Sequence, residues 1–411
     1  VPGPVADPEK PLQMLVTMLE WNNFVGQVSV GRIAHGKITS NQPMTLLQEK
    51  GKSVRGRVTL LEKYFGLMRK EVSEAEAGDI VAVGGVPGVR VGDTIAAEID
   101  PVALDRIEIE PPTMSIEIFV NDSPFVGQDG EFLTSRHLRE RLFKEQETNA
   151  GLLVEERENT GVFKVSGRGE LHLTVLLETM RREGFEMSVS KPEVIVHEEN
   201  GQVVEPAEQI ILDIEDQYQG VVMENLGKRS AQMKNMKAEA GRVHLEYVIA
   251  TRCLLGFKSE FLIITKGTGV AHQSFFGFIP RGDDMPLRTN GVLVAVENGE
   301  TTAYALDGLQ DRSVLFVGPR IPIYEGMVVG ENARDKDMVV NPCKGKKLTN
   351  MRAAGSDDMA MLAPPRAFSL EQAIEYIERD ELVEVTPKNI RIRKRYLTEN
   401  DRKKAARSSR N

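Results

Sequence analysis

Cysteine is nearly absent from this chain: 411 residues hold only Cys253 and Cys343. Two thiols build no disulfide framework, and a reducing, cytoplasmic setting is expected. Apolar runs of roughly 18 residues are missing, as is a charged-then-apolar leader, so neither a spanning helix nor a membrane partner is expected. A phosphate-cradling G-x-x-x-x-G-K-[ST] loop has one near miss, Gly51-Lys52-Ser53, where Leu46 stands at the first glycine position. Its flanks read as strands rather than strand-loop-helix, and no cofactor is expected on this chain. The histidines His35, His137, His172, His197, His244 and His272 are scattered singly, which argues against a metal site. The nucleophile-elbow pattern G-x-S-x-G does not occur, and the acid pairs Glu155–Glu156 and Asp283–Asp284 read as surface charge. With no constellation for making or breaking bonds, this chain is not expected to be an enzyme by itself.

A local scarcity is more informative. The chain is acidic, 61 Asp and Glu against 52 Lys and Arg, for a net charge of −9. Yet no acid occurs from Asn341 to Gly355, where NPCKGKKLTNMRAAG carries Lys344, Lys346, Lys347 and Arg352. Glycine gives such a loop freedom, lysines grip phosphate from many directions, and Asn350 and Arg352 are of the types that read or stack on bases. The tail is cationic too. From Lys388 onward ten Lys and Arg face only Glu399 and Asp401, a charge of +8 that leaves −17 on residues 1–387. Within it, KNIRIRKRY alternates: Ile390 and Ile392 fall on one strand face, Arg391, Arg393 and Arg395 on the other, about 7 Å apart. With Lys394 this row suits a phosphate backbone. The plainer alternatives are a solvated loop, a solvated strand face and a solubilising tail.

Residues 1–110 are rich in Val, Gly and Ile. LQMLVTMLEW, GQVSVGRIAHGKI, SVRGRVTLLEKY and AGDIVAVGGV read as strands, and a small closed β-barrel is expected because closure removes edges. Pro111-Pro112 marks a boundary. In residues 111–202, SIEIFVN is a strand and SRHLRERLFKEQETN a helix with Leu138, Leu142 and Phe143 on one face. LLVEERE and VFKVSG form a hairpin, ELHLTVLLETMRREGF is a helix stopped by Gly184, and EMSVSKPEVIVHEE returns as a strand. That βαββαβ order is the ferredoxin-like split βαβ sandwich. Residues 203–283 repeat the pattern from EQIILDIE to HQSFFGFIP. Residues 284–411 open on apparent strands, GVLVAVENGETTAYAL and DRSVLFVG. After the basic loop come a helix, SLEQAIEYIERDE, with Ser369 and Gln372 as a capping box, the strand KNIRIRKRY and a last helix, TENDRKKAARSS. The glycines of SGRGELHL (166–173) could form an anion nest, but a tight strand-to-helix turn is the simpler reading.

SGRGELHLTVLLETMRREGFE (166–186), RCLLGFKSEFL (252–262), GKKLTNMRA (345–353), LEQAIEYIERDELVEVTP (370–387) and IRIRKRYLTENDR (390–402) resemble the BipA/TypA family of translational GTPases. The likeness covers essentially the whole chain; the first stretch is also similar to the wider elongation factor G and LepA group. It implies a multidomain β and α+β fold. That fold comprises a translation-factor β-barrel over 1–110, two ferredoxin-like βαββαβ domains over 111–202 and 203–283, and a family-specific, mainly β C-terminal domain over 284–411. It implies a GTPase domain upstream of Val1 that carries GTP and Mg. It implies ribosome binding by a monomer, with Lys344–Arg352 reaching large-subunit rRNA and the A-site tRNA, and roles in ribosome assembly and the stress response. Two readings of other classes stay open: a protein-only interaction module whose basic tail takes acidic partners, and a stand-alone enzyme acting on RNA.

Overall fold

The computed structural model describes residues 6–22, 24–107, 111–157, 160–283, 288–345 and 361–408. The chain forms two compact units, Val1–Pro111 with Arg139–Val154, and Pro112–Leu138 with Glu155–Asn411.

The first unit is built from β1 (Gln13–Asn22), β2 (Gly26–His35), β3 (Lys37–Thr39), β4 (Pro43–Leu47), β5 (Ser53–Arg57), β6 (Leu60–Phe65), β7 (Met68–Glu71), β8 (Glu74–Glu76), β9 (Ile80–Gly84) and β10 (Thr94–Ala96). Eight of them make one sheet, β5-β4-β10-β1-β2-β9-β6-β7, while β3 and β8 pair separately. Met14, Ile33, Ile38, Leu46, Leu61 and Val81 fill its core. Closure was expected, but among the described residues no rung joins β5 to β7. The ends are protected differently. All four residues of β7, Met-Arg-Lys-Glu, are exposed, and charge on an edge strand discourages further pairing.

The second unit opens with β11 (Met114–Val120), α1 (Ser135–Thr148), β12 (Leu153–Arg157), β13 (Val162–Gly167), α2 (Glu170–Glu183) and β14 (Met187–Ser190); the division between the units passes through α1 and β12. The strand order β12-β13-β11-β14 is the split βαβ arrangement. Leu173, Leu176, Leu177 and Met180 bury one face of α2, and Gly184 ends it at φ 102°, a left-handed conformation that glycine adopts without strain. After β15 (Glu193–Val194) and β16 (His197–Glu199) the pattern recurs: β17 (Gln202–Glu215), α3 (Gln219–Lys228), β18 (Gln232–Glu239), β19 (Arg242–Ala250), α4 (Phe257–Ile264) and β20 (Val270–Pro280). Its order, β18-β19-β17-β20, is the same topology built from different residues.

The remainder is β21 (Val292–Ala295), β22 (Gly299–Glu300), α5 (Ala303–Gln310), β23 (Ser313–Leu315), β24 (Pro322–Ile323), β25 (Val328–Asn332), β26 (Met338–Val340), α6 (Leu370–Tyr376), β27 (Glu381–Val385), β28 (Ile390–Lys394) and α7 (Glu399–Ser408). Two features depart from expectation. The stretch TTAYAL, expected as strand, enters helix α5, started by the Thr302 hydroxyl accepting from the Ala305 N–H. And the β27–β28 hairpin does not stay with residues 290–340 alone, though Arg393 bridges Met327 and the Lys394 N–H donates to Gly326 O. It adds to β14, giving the path β12-β13-β11-β14-β27-β28.

Candidate nucleic-acid interface

β27 is buried along its whole length, Glu381 and Glu384 included. Two carboxyl side chains without water require partners, and the facing strand supplies them: Glu384 lies opposite Arg391 and Glu381 opposite Lys394. Arg288 binds Glu381 through both terminal nitrogens at 2.8 and 2.9 Å. The Lys394 ammonium reaches Asp337, Asp380 and Glu381 at 2.6, 2.8 and 2.9 Å. Burial opposes the lysine's charge, but these three carboxylates outweigh it and hold its pKa above the ordinary value. Burial likewise opposes ionisation of Glu381, and Arg288 and Lys394 more than reverse that. Glu384 accepts from Tyr324 Oη, from Ser123 Oγ at 2.8 Å and from Arg391 at 3.1 Å. Arg393 pairs with Asp122 and donates to Ser188 Oγ at 3.3 Å.

This arrangement corrects the tail reading. The alternation holds, but Arg393 and Lys394 are only 1% and 2% exposed, and Arg391 is half-buried and committed to Glu384. Arg391 and Arg393 turn to one face, toward Asp129, Glu384 and Asp122, and Lys394 to the other, toward Asp337, Asp380 and Glu381, so these cations lock the hairpin and are already taken by acids. Arg395, just past the strand, is different: its side chain is 39% exposed and lies over the Phe119 ring. A sequence signal for the lock existed. Glu381 and Glu384 of DELVEV (380–385) match Lys394 and Arg391 of KNIRIRK in hairpin register, with a Thr386–Asn389 turn between them.

The basic loop enters differently. Lys344 is exposed; Lys346, Lys347, Asn350 and Arg352 lie outside the described residues. What holds the loop is α5. At its start, the Thr302 N–H donates to Pro342 O at 2.9 Å and the Thr302 hydroxyl to Lys344 O at 2.7 Å. At its end, Gln310 donates to Met361 O at 3.2 Å and accepts from the Ala363 N–H at 3.1 Å. Eight helical residues set those two feet about 12 Å apart. Lys344 and Met361, the described residues on either side of the basic stretch, are thereby both tied to one helix. The sequence offered only the Thr302 cap as a hint.

The tail helix α7 starts at a capping pair, Thr398 with Asp401. Lys403 and Lys404 pair along the helix with Glu399 and Asp401, and Arg407 is exposed. In SGRGELHL the turn reading fits. The Arg168 N–H is taken by His172 Nδ1 at 3.3 Å, and a side chain at Gly167 would meet Leu173 and His172 at 3.0 and 3.1 Å.

These parts define a class: a translation-factor chain made of one β domain, two split βαβ layers and a terminal β module. The comparisons agree. Residues 26–96 match elongation factor Tu domain 2, residues 202–286 match the elongation factor G C-terminus, and residues 290–399 match the TypA/BipA C-terminal domain. The relative from Salmonella typhimurium, named large ribosomal subunit assembly factor BipA, is 48% identical over 99% of this chain and 67% of its own length. Relatives of the same name from Haemophilus influenzae and Synechocystis sp. are 47% and 45% identical, covering 100% and 96% of this chain and 67% and 66% of their own. The chain belongs to the TypA/BipA family and spans about two thirds of the length of these relatives. A crystal structure from Thermus thermophilus is a fainter likeness, TM-score 0.44 at 17% identity over 66% of this chain and 56% of that one.

Proposed function

We propose that this chain is the ribosome-docking portion of a large-subunit assembly factor, and that Lys344, Lys346, Lys347, Asn350 and Arg352 are its contact with large-subunit rRNA and A-site tRNA. The observation that carries this reading is that Lys344 and Met361, the described residues flanking the basic stretch, both bind α5, in a chain whose relatives bear the assembly-factor name. A loop fixed at both ends places its charge at one address on a partner, where a free tail could not. The net negative charge of the rest of the chain discourages indiscriminate RNA binding, so cationic elements select where contact is made. GTP and Mg belong to a GTPase domain upstream of Val1, whose nucleotide state would set when docking occurs. The protein acts as a cytoplasmic monomer, with growth under stress as the setting.

Co-sedimentation with ribosomes across a salt series tests this. Binding should fall steeply with salt. Changing Lys344, Lys346, Lys347 and Arg352 together to Ala should weaken it and flatten the log–log salt slope by about three, at roughly 0.7–0.9 per phosphate contact. Unaltered binding and slope would remove the loop from the assignment.

A further inference from the structure

Arg395 opens onto a second cationic feature. On β11, Ile116 and Ile118 point into the core, at 2% and 0% exposure, which turns Ser115 and Glu117 to the opposite face of the sheet. Over that face lies a cavity of about 480 Å³. Five cations line it from five separate segments: Arg157 of β12, Lys164 of β13, Lys191 after β14, Arg379 after α6 and Arg395 after β28. Only Glu117 and Glu193 oppose them in the lining.

The cations are paired with unequal closeness. Arg157 and Arg395 flank the Glu117 carboxylate at 2.8 and 3.7 Å, and Arg379 reaches Glu193 at 3.7 Å. Lys191 pairs with Glu378 at 2.7 Å just outside the lining. Lys164, directly across the ladder from Glu117, has no ion pair of its own among the described residues. Arg157 and Arg379 are 61% and 70% exposed, and pairs of that kind contribute little to stability. They can be exchanged for a phosphate at little cost. At present one carboxylate, that of Glu117, occupies the place between two guanidiniums.

We propose that this groove is a second RNA contact, taking a run of phosphodiester groups along the face of the β13–β11 ladder. A backbone fits better than a single free phosphate. The cations stand along a trough crossed by strands about 4.8 Å apart and do not converge on one buried point. Three of the five are arginines, whose planar forks match phosphate. The surroundings explain why Arg395 alone of its strand's arginine row serves here: Arg391 and Arg393 are covered, and the row emerges from cover only at its end. That the polyanion is ribosomal rests on the function proposed above; that it is RNA rests on the groove.

Two assays separate these layers. The first is fluorescence anisotropy with a short RNA duplex, over a salt series, on the 411-residue chain and two variants. Lys164→Glu with Arg379→Glu should weaken binding about ten-fold near 0.1 M salt and flatten the slope by about two. Glu117→Gln, which frees Arg157 and Arg395, should tighten it. Circular dichroism melts of both variants should stay cooperative, since Arg379 is exposed and Glu117 and Lys164 are half-buried on the groove face, outside the apolar core. Duplex binding unchanged in both variants overturns the proposal, as does inorganic phosphate displacing the duplex at equal concentration. The second assay is ribosome co-sedimentation. If the parent chain binds duplex through the groove yet ignores ribosomes, the docking function fails and the RNA groove stands. If it binds ribosomes and the groove variants bind them and the duplex equally well, docking stands and the groove falls.

Discussion

At the residue scale, the tail shows how charge that looks outward in a sequence is spent inward. Arg391, Arg393 and Lys394 balance acids on the neighbouring strand and loops. Removing one member of such a set leaves another buried and unpaired. Glu381→Gln should therefore destabilise the chain by roughly 3–5 kcal/mol in urea unfolding, since Arg288 and Lys394 both lose their shared carboxylate; a loss under about 1 kcal/mol would show the network to be dispensable. A different residue sets a pH dependence. Glu170, at the start of α2, has a shielded Oε1 without a hydrogen-bond partner. Burial, then Glu375 and Glu371, push its pKa up to about 8, and burial with Glu371 pushes Glu375 up to about 7. Both values exceed the ordinary 4.5, so the folded chain holds these protons more tightly than the unfolded one. The stability this contributes is full below about pH 4.5 and is lost as pH rises through 7 and 8. Glu170→Gln should lose less stability between about pH 5 and pH 8.5 than the parent; parallel losses would refute the assignment.

At the element scale, regular elements were legible and their allegiances were not. The apolar spacing of α2, its Gly184 stop and the Ser369–Gln372 capping box all read directly from the residues, and both capping-box hydrogen bonds are present. The repeated βαββαβ order was legible because strands such as β17 and β19 alternate and the helices between them carry apolar residues, though β18 shows no such alternation. Two elements escaped. Helix α5 is short and flanked by strand-like composition, so its one strong sign was Thr302. Strand β27 hid behind α6, because ERDELVEV continues a charged, helix-favouring run until the turn at Thr386. Neither a helical nor a strand period says which sheet a strand will join; the Glu384–Arg391 and Glu381–Lys394 matches set the register within the hairpin, and the edge of β14 takes β27. The escaped helix bears on the proposed site. Thr302→Ala removes the cap of α5 and the hydroxyl bond to Lys344 O together, leaving the backbone bond to Pro342 O. A stability loss of about 1 kcal/mol is expected, with faster hydrogen exchange at Ala305 and weaker ribosome binding. If the cap is lost while binding holds, the loop does not depend on its seat.

At the scale of the whole molecule, the hairpin makes distant parts of the sequence one body. Residues 111–202 look self-sufficient on paper, with a complete βαββαβ order, yet their β14 edge and several polar groups are completed from far along the chain. Ser188 serves Arg393, Ser123 and Asn121 serve Glu384, and Asp129 accepts from Thr386 and Asn389 at 2.7 and 2.8 Å. A fragment of residues 111–202 should therefore expose an unpaired, apolar strand edge and fold poorly or associate. A synthetic peptide of residues 378–396 carries β27, its turn, β28 and the paired charges, and should rescue it by strand addition. The measurement is amide dispersion and melting of the fragment with and without the peptide, beside a peptide in which Glu381 and Glu384 are Gln. Rescue by the native peptide and failure by the altered one would mean that the charge matches, and not apolar burial alone, select β14 as the hairpin's partner. A fragment that melts as a well-ordered domain without any peptide would instead make the hairpin a late addition to a finished sheet.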